Sequence, residues 1–432
     1  MNGSESKPQR SFFYGWWIVI ASSIMGIFGN GSISNGFPRF FEPIRSDLDI
    51  SYFRMSLIFS LARAEVGIDG PLMGWLVDRY GARPMIFIGG LLAGGGLMFL
   101  SAAHNYWYFV FLFVGAISIG KTAAFGQTLM AVVNQWFIRG KAVALSTLMA
   151  SFAAGGALMV LLLDIGISNI GWRSTLFYTG LLIVLLTIPV SLVIYSKPED
   201  IGLLPDGGEP RSSGSGIDPE EISQEPDSIE GNFNVQQALR TKSFWLILTG
   251  VITRVSATNA IMVHIFPMLQ LKGMNESTAS TSVAAMYLLA IPLRFLLGIA
   301  AGKFSSRKIL FWGMFVGAVG ILALWGMPGM AGVAMFIVGL SIVEGITSVN
   351  WLMVGEYFGR LRYATLMGIM IFFNSLGMFI APLFAGFVRD RTDNYDLVLL
   401  TFAPVLVLSA ISFGLASKPV LPTLFIDNHA NT

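Results

Sequence analysis

Cysteine is absent from all 432 residues, which excludes disulfides, thiolate metal sites and a cysteine nucleophile. Histidine is nearly as scarce, and His104, His264 and His429 lie too far apart to suggest a metal cluster. Charge is thin as well: only 12% of residues are charged while 54% are hydrophobic, and the mean hydropathy of +0.69 lies far above that of a soluble globular domain. The chain also lacks a GxxxxGK[ST] phosphate loop, and no nucleophile–base pair can be placed in its polar parts. These gaps argue against a primary pump and against an enzyme. No cofactor, metal or nucleic-acid partner is expected.

What the chain does have is long apolar runs. They recur along nearly its whole length, each long enough to cross the ~30 Å hydrocarbon core as a helix, whereas barrel strands of about ten alternating residues would not look like this. The runs predict twelve spans, near 13–38, 52–78, 84–103, 105–136, 141–165, 172–196, 242–270, 276–304, 307–327, 330–356, 361–388 and 396–417. The first has no small-residue cleavage site and leads straight into the next, so it reads as a retained helix. Placing residues 1–12 and 418–432 in the cytoplasm puts most of the 27 Lys and Arg there, as the positive-inside bias requires. Trp16, Trp17, Trp107 and Trp245 near span ends fit the aromatic belt of an interface.

Residues 198–241 interrupt the pattern with a Gly, Ser, Pro and acid-rich stretch that reads as a solvated tether. Its last part, NFNVQQALRTKSF, has the apolar spacing of a short amphipathic helix. The flanking segments, 13–197 and 242–417, repeat each other. GWLVDRYGARPMIF from Gly74 matches GIAAGKFSSRKILF from Gly298, and WFIRGKAVAL from Trp136 matches YFGRLRYATL from Tyr357. Both offsets are close to about 220 residues, the sign of duplicated six-helix units. Such a pair places a substrate path on the pseudo-symmetry axis.

The turn Gly74 to Arg83 resembles the loop signature of the major facilitator superfamily, and the order of polar loops extends that resemblance over essentially the whole chain. Within the superfamily, YGWWIVI, GFPRFFEPI, NQWFIRGKAVALS, GWRSTLFYTG and PEDIGLLPDG are similar to bacterial monocarboxylate and oxalate:formate-type porters. The resemblance implies an all-α membrane protein with twelve helices in two pseudo-symmetric halves, in a bacterial-type inner or plasma membrane. It also implies that Gly74, Asp78, Arg79, Gly81, Arg83 and Arg139 latch the cytoplasmic helix ends during gating. Asp78 has no acidic counterpart, since Gly302 stands at the repeated position.

Charges inside a membrane cost at least about 2.5 kcal/mol each on insertion scales, so intramembrane ionisable residues are functional candidates. Arg294 comes first. It follows Tyr287 by two helical turns on one face, and its planar fork suits bidentate carboxylate binding. The resemblance to monocarboxylate porters implies the same role for an Arg on this span, although animal members carry an acid one turn earlier, where this chain has Ala290. The structural alternative is an Arg paired with an acid of a neighbouring helix.

Lys121 shares a face with Ser118, Phe125 and Thr128, and it reads either as an anion contact or as a counter-ion to span 2. Arg254 reads as a substrate contact or as a partner for Glu344. Span 10 sets Ser341, Glu344, Ser348 and Trp351 at helical spacing on one face, making Glu344 a proton carrier or an ion-pair acid. On span 2, Glu65 and Asp69 form an i, i+4 acidic pair with the same two readings, whereas Arg63 aligns with Gly67, Gly70 and Gly74 as a packing or gating residue. Asp164 reads as peripheral, and His264 as a hydrogen-bonded residue near the water boundary.

Together these readings predict a secondary carrier, working as a monomer, that moves a small organic anion, most simply a monocarboxylate, by alternating access. Proton symport would need Glu65, Asp69 or Glu344 to take up a proton. Anion exchange would need none of them. An exporter of amphiphilic compounds would favour an acid-dominated core, and a non-transporting sensor would favour a long folded cytoplasmic extension.

Overall fold

The computed structural model describes residues 13–137, 141–204, 233–359 and 363–419. The expected tails and most of the expected tether, including 205–232, lie outside these residues. Among the described residues all regular structure is helical, as an apolar chain must be when lipid offers its backbone no hydrogen-bond partners.

The first crossing begins as α1 (Gly15–Met25), winds through a π-helical segment (Gly26–Gly36) and a 3-10 turn (Phe37–Phe40), and ends in α2 (Phe41–Asp47). Next come α3 (Tyr52–Tyr80) and α4 (Ala82–Leu100). The fourth crossing is α5 (Tyr106–Leu112), a π segment (Phe113–Ser118), α6 (Ile119–Phe125) and α7 (Gln127–Trp136). α8 (Lys141–Val193) holds two crossings, because Gly171 at φ 77° and ψ 162° reverses the chain without a loop. That conformation is open to glycine and very few other residues.

After the short α9 (Val235–Leu239) follow α10 (Lys242–Leu271), α11 (Glu276–Lys303), α12 (Ser306–Gly326), α13 (Gly329–Gly345), α14 (Thr347–Phe358), α15 (Tyr363–Thr392) and α16 (Asp396–Leu415). α9 is the short helix expected before span 7, and Asn234 and Gln237 close a capping box around its first turn. Among the described residues, ten segments are long and apolar enough to span a membrane. One of them is the two-armed α8 and a further crossing is α3, which together give twelve.

Contacts divide the chain into two compact units. The first holds α1, α2, the part of α3 from Glu65 onward, α4 to α8, and α11 as far as Tyr287. The second holds α3 up to Ala64, α9, α10, α11 from Leu288, and α12 to α16. Cutting the chain at 197 and 242 would assign every helix whole to one half, whereas α3 and α11 are each shared between the two units. Pro292 lies inside α11. Lacking an N–H, it leaves the Leu288 carbonyl without its intrahelical partner.

Small residues bring helices together within each unit. In the first, a Cβ added to Gly31 would come within 2.7 Å of the Gly155 backbone, so the π segment and α8 touch main chain to main chain. The internal repeat is visible in matched hydrogen bonds. Trp136 Nε1 donates to the Tyr195 carbonyl (2.9 Å) in the first unit, and Tyr357 Oη donates to the Ala416 carbonyl (3.1 Å) in the second. The two donors and the two acceptors are separated by the same number of residues.

Candidate anion-binding site

The second unit gathers the charges best suited to hold an anion. Arg294 of α11 places Nη2 3.7 Å from Glu344 Oε2 of α13, with side chains 27% and 23% exposed. Among the described residues the Arg294 Nε, though buried, donates to no acceptor. Arg254 of α10 is buried, and its Nη1 donates to Thr347 Oγ1 at 3.3 Å while its Nε is likewise unsatisfied. Thr347 Oγ1 in turn donates to the Glu344 carbonyl at 2.9 Å.

Both guanidinium groups therefore converge on the Glu344–Thr347 segment, where α13 ends and α14 begins. One carboxylate faces two cations there, leaving an excess positive charge and unused N–H donors. A buried donor without an acceptor costs about 1–3 kcal/mol, and more when charged. An anionic ligand would supply the acceptors.

Arg294 takes the structural alternative, an acid of a neighbouring helix, while Arg254 departs from the expected pairing with Glu344. The acid missing at Ala290 is supplied by α13, so Glu344 pairs with Arg294, and Arg254 takes Thr347 as its hydrogen-bond partner. The single face expected from Ser341 to Trp351 is broken, because the helix ends at Gly345 and restarts at Thr347 around Ile346. Ser348 is exposed as a result, while Asn350 is wholly buried with both amide atoms unsatisfied. Sequence reasoning passed over Thr347 and Asn350. The available signal was a lone amide inside the apolar run SVNWLMV.

The remaining candidates sit elsewhere. Tyr287, buried in the first unit, lies with its ring against Gly156 of α8, where an added Cβ would meet the ring at 3.0 Å and the Asn35 amide nitrogen at 3.0 Å. Lys121 on α6 and Glu65 on α3 are half-buried in the same unit. The face expected around Lys121 is interrupted twice, since a π segment precedes it and Gly126 (φ −114°, ψ −108°) breaks the helix before Thr128. Arg63 is half-buried in the second unit. The side chain of Asp69 lies outside the described part of the structure.

Buried polar groups also lie outside this cluster. Arg39 is 1% exposed, and its Nε lies 2.7 Å from Asp164 Oδ1. Asp164 is thus a buried ion-pair partner. Arg39 Nη2 also pairs with Glu276 in the first turn of α11. His264 is fully buried and hydrogen-bonded, as expected. Ser56 Oγ donates to the Tyr52 carbonyl (2.6 Å), so it accepts from His264 Nε2–H (2.8 Å), and His264 Nδ1 accepts from Tyr395 Oη (2.8 Å).

At the opposite end of α3, Gly81 takes φ 86°, and Ser196 Oγ accepts from the Ala82 N–H at 2.8 Å. Arg79 stacks over Trp75 and Tyr80, and Arg83 over Tyr195. Arg139 and the Gly74 and Asp78 side positions lie outside the described part.

The helical architecture and this charge arrangement are those of a membrane transporter. The Major Facilitator Superfamily matches in two overlapping segments, residues 23–382 and 268–424, and the chain belongs to that family. It is 21% identical over 414 residues to "Monocarboxylate transporter 6" of Homo sapiens, covering 92% of this chain and 79% of that protein. It is 23% identical to "Monocarboxylate transporter 2" of Mesocricetus auratus, covering 92% and 83%. Among solved structures, a bacterial homolog to the human lysosomal transporter Spinster, inward-facing and occupied, superposes with a TM-score of 0.71 at 16% identity, over 96% of this chain and 98% of that one.

Proposed function

We propose that this transporter carries a small organic anion, most simply a monocarboxylate, by alternating access, with Arg294 as the anchor for the carboxylate. The observation that supports this reading is the pair of arginines, Arg294 and Arg254, converging beside a single acid with Nε donors unused. A carboxylate bound at Arg294 would accept charge-assisted hydrogen bonds and offset the excess positive charge. Arg254 would add long-range attraction. Tyr287 and Lys121 are secondary candidates for contact with the substrate.

Glu344 is the internal anion in this arrangement, occupying Arg294 when no substrate is present. Proton symport follows if Glu344 is neutralised as the substrate takes its place, and Glu65 and Asp69 are the alternative carriers. Anion exchange follows if Glu344 keeps its charge throughout and a second anion replaces the first. Gly74, Asp78, Arg79, Gly81, Arg83 and Arg139 are proposed as gate contacts, with both termini cytoplasmic.

The test is uptake of a panel of radiolabelled carboxylates into proteoliposomes, with and without a pH gradient. Arg294→Ala should abolish saturable uptake, and Arg294→Lys should restore only part of it, because an ammonium lacks the planar fork. Normal carboxylate uptake by Arg294→Ala would refute the anchor. Uptake indifferent to the gradient but dependent on an internal anion would replace symport by exchange.

A further inference from the structure

α12 opens with two adjacent basic residues, Arg307 half-buried and Lys308 exposed. With Ser305, Phe311 and Trp312, and with Gly414 and Leu415 of α16, they line a groove of about 480 Å³. A second groove, of about 430 Å³, shares Lys308 and Trp312 with the first and continues past Leu297, Val316 and Ile342. Apart from Lys308, its lining is entirely apolar. Neither groove has a carboxylate among its lining residues, and among the described residues no ion pair engages Arg307 or Lys308. Glu356, close by in the fold, accepts from Ser306 Oγ at 3.0 Å.

The shape follows from local packing. Gly414 carries no side chain where a Cβ would stand 2.8 Å from the Phe311 ring, so that ring settles onto α16 and opens the first groove. Trp312 and Leu415 are 60% and 62% exposed, on membrane-crossing helices, so this surface faces the bilayer. A cationic pocket that passes at a shared tryptophan into an apolar slot is complementary to a molecule with an anionic head and a hydrocarbon tail. Tryptophan suits that junction because its ring is amphipathic.

We propose that the two grooves form one site for an anionic glycerophospholipid of the adjacent leaflet. Its phosphate lies against Arg307 and Lys308, and one acyl chain lies in the slot beside Trp312. A free phosphate or a soluble organic anion would use the basic pocket but leave the slot empty. The site is separate from the Arg294 cluster and does not depend on which substrate is carried.

The full chain, reconstituted into nanodiscs containing equal parts of phosphatidylglycerol and phosphatidylcholine with identical acyl chains, would be released for native mass spectrometry. Wild type should retain phosphatidylglycerol in preference. The double variant Arg307→Ala/Lys308→Ala should retain roughly thirtyfold less, the scale expected for two basic side chains at an anionic surface. Val316→Trp, which fills the slot and leaves both charges in place, should also lower retention. Lys272→Ala, at the other end of α12 where Lys272 Nζ donates to the Trp325 carbonyl, should not.

Equal retention of the two lipids by wild type would overturn the proposal, as would unchanged phosphatidylglycerol in the double variant. Unchanged retention in Val316→Trp would overturn the acyl-chain assignment. Displacement of the lipid by soluble glycerol phosphate would assign the pocket to a free anion and likewise overturn it. Thermal unfolding of each variant separates loss of lipid from loss of fold.

Discussion

Replacing Glu344 by glutamine should make this transporter bind its anion more tightly while impairing its coupling. Glu344 lies 3.7 Å from Arg294, with both side chains about three-quarters shielded from solvent. Two unit charges at roughly this distance attract by about 4 kcal/mol at an effective dielectric near 20. Desolvation and residual solvent access offset most of that, leaving on the order of 1–2 kcal/mol. An incoming carboxylate must displace this internal competitor, so Glu344→Gln should lower Kd by roughly tenfold, since 1.4 kcal/mol corresponds to one decade. Equilibrium binding of a radiolabelled monocarboxylate to purified protein at neutral pH measures this directly. In proteoliposomes the same variant should lose acceleration by an inward proton gradient. Binding weakened tenfold by Glu344→Gln would refute the reasoning, because the acid would then hold substrate and not compete with it.

Other consequences can be measured on the same preparations. Asp164→Asn should destabilise the protein by up to about 3–5 kcal/mol by removing the buried one of Arg39's two acidic partners, and it should lower the thermal midpoint more than Glu276→Gln, whose side chain is 53% exposed. Gly171→Ala should cost about 1–3 kcal/mol because a side chain at φ 77° is strained, lowering the midpoint without changing substrate affinity. His264→Phe should lose about 0.5–1.5 kcal/mol for each hydrogen bond removed and leave Tyr395 and Ser56 short of partners. Since His264 lies apart from the arginine cluster, the pH profile of uptake should keep its shape in that variant.

The architecture was largely legible because lipid leaves an apolar chain few options. Run length gave the spans, and the Gly74 and Gly298 segments displayed the duplication without any structure. Arg294 stood out because a lone guanidinium in YLLAIPLRFLLG is expensive to bury. Its partner was not legible, because Ala290 removes the acid from the same helix and Glu344 comes from a helix far along the chain. Linear spacing cannot report such a pairing. The stripes around Lys121 and below Glu344 failed for another reason: helical-face arithmetic assumes 3.6 residues per turn, and a π segment, Gly126 and Ile346 each reset the phase. Arg39 stands beside Pro38 at the end of an apolar run, where a loop could start, so its partner Asp164, 125 residues away, was not legible. The backbone instead stays helical there, and the guanidinium turns inward to Asp164.

Pro292 gives α11 a mechanical property as well as a missing rung. The carbonyl it leaves free belongs to Leu288, the residue at which the helix passes from one compact unit to the other. The missing rung weakens α11 between Leu288 and Pro292, and Arg294 follows Pro292 by two residues. A flexure there would re-aim the Arg294 guanidinium less than one turn beyond Pro292, so on the role proposed for Arg294 the joint would act on substrate capture as an elastic element. Restoring the rung with Pro292→Ala should stiffen that spring and slow turnover, with resting affinity largely preserved.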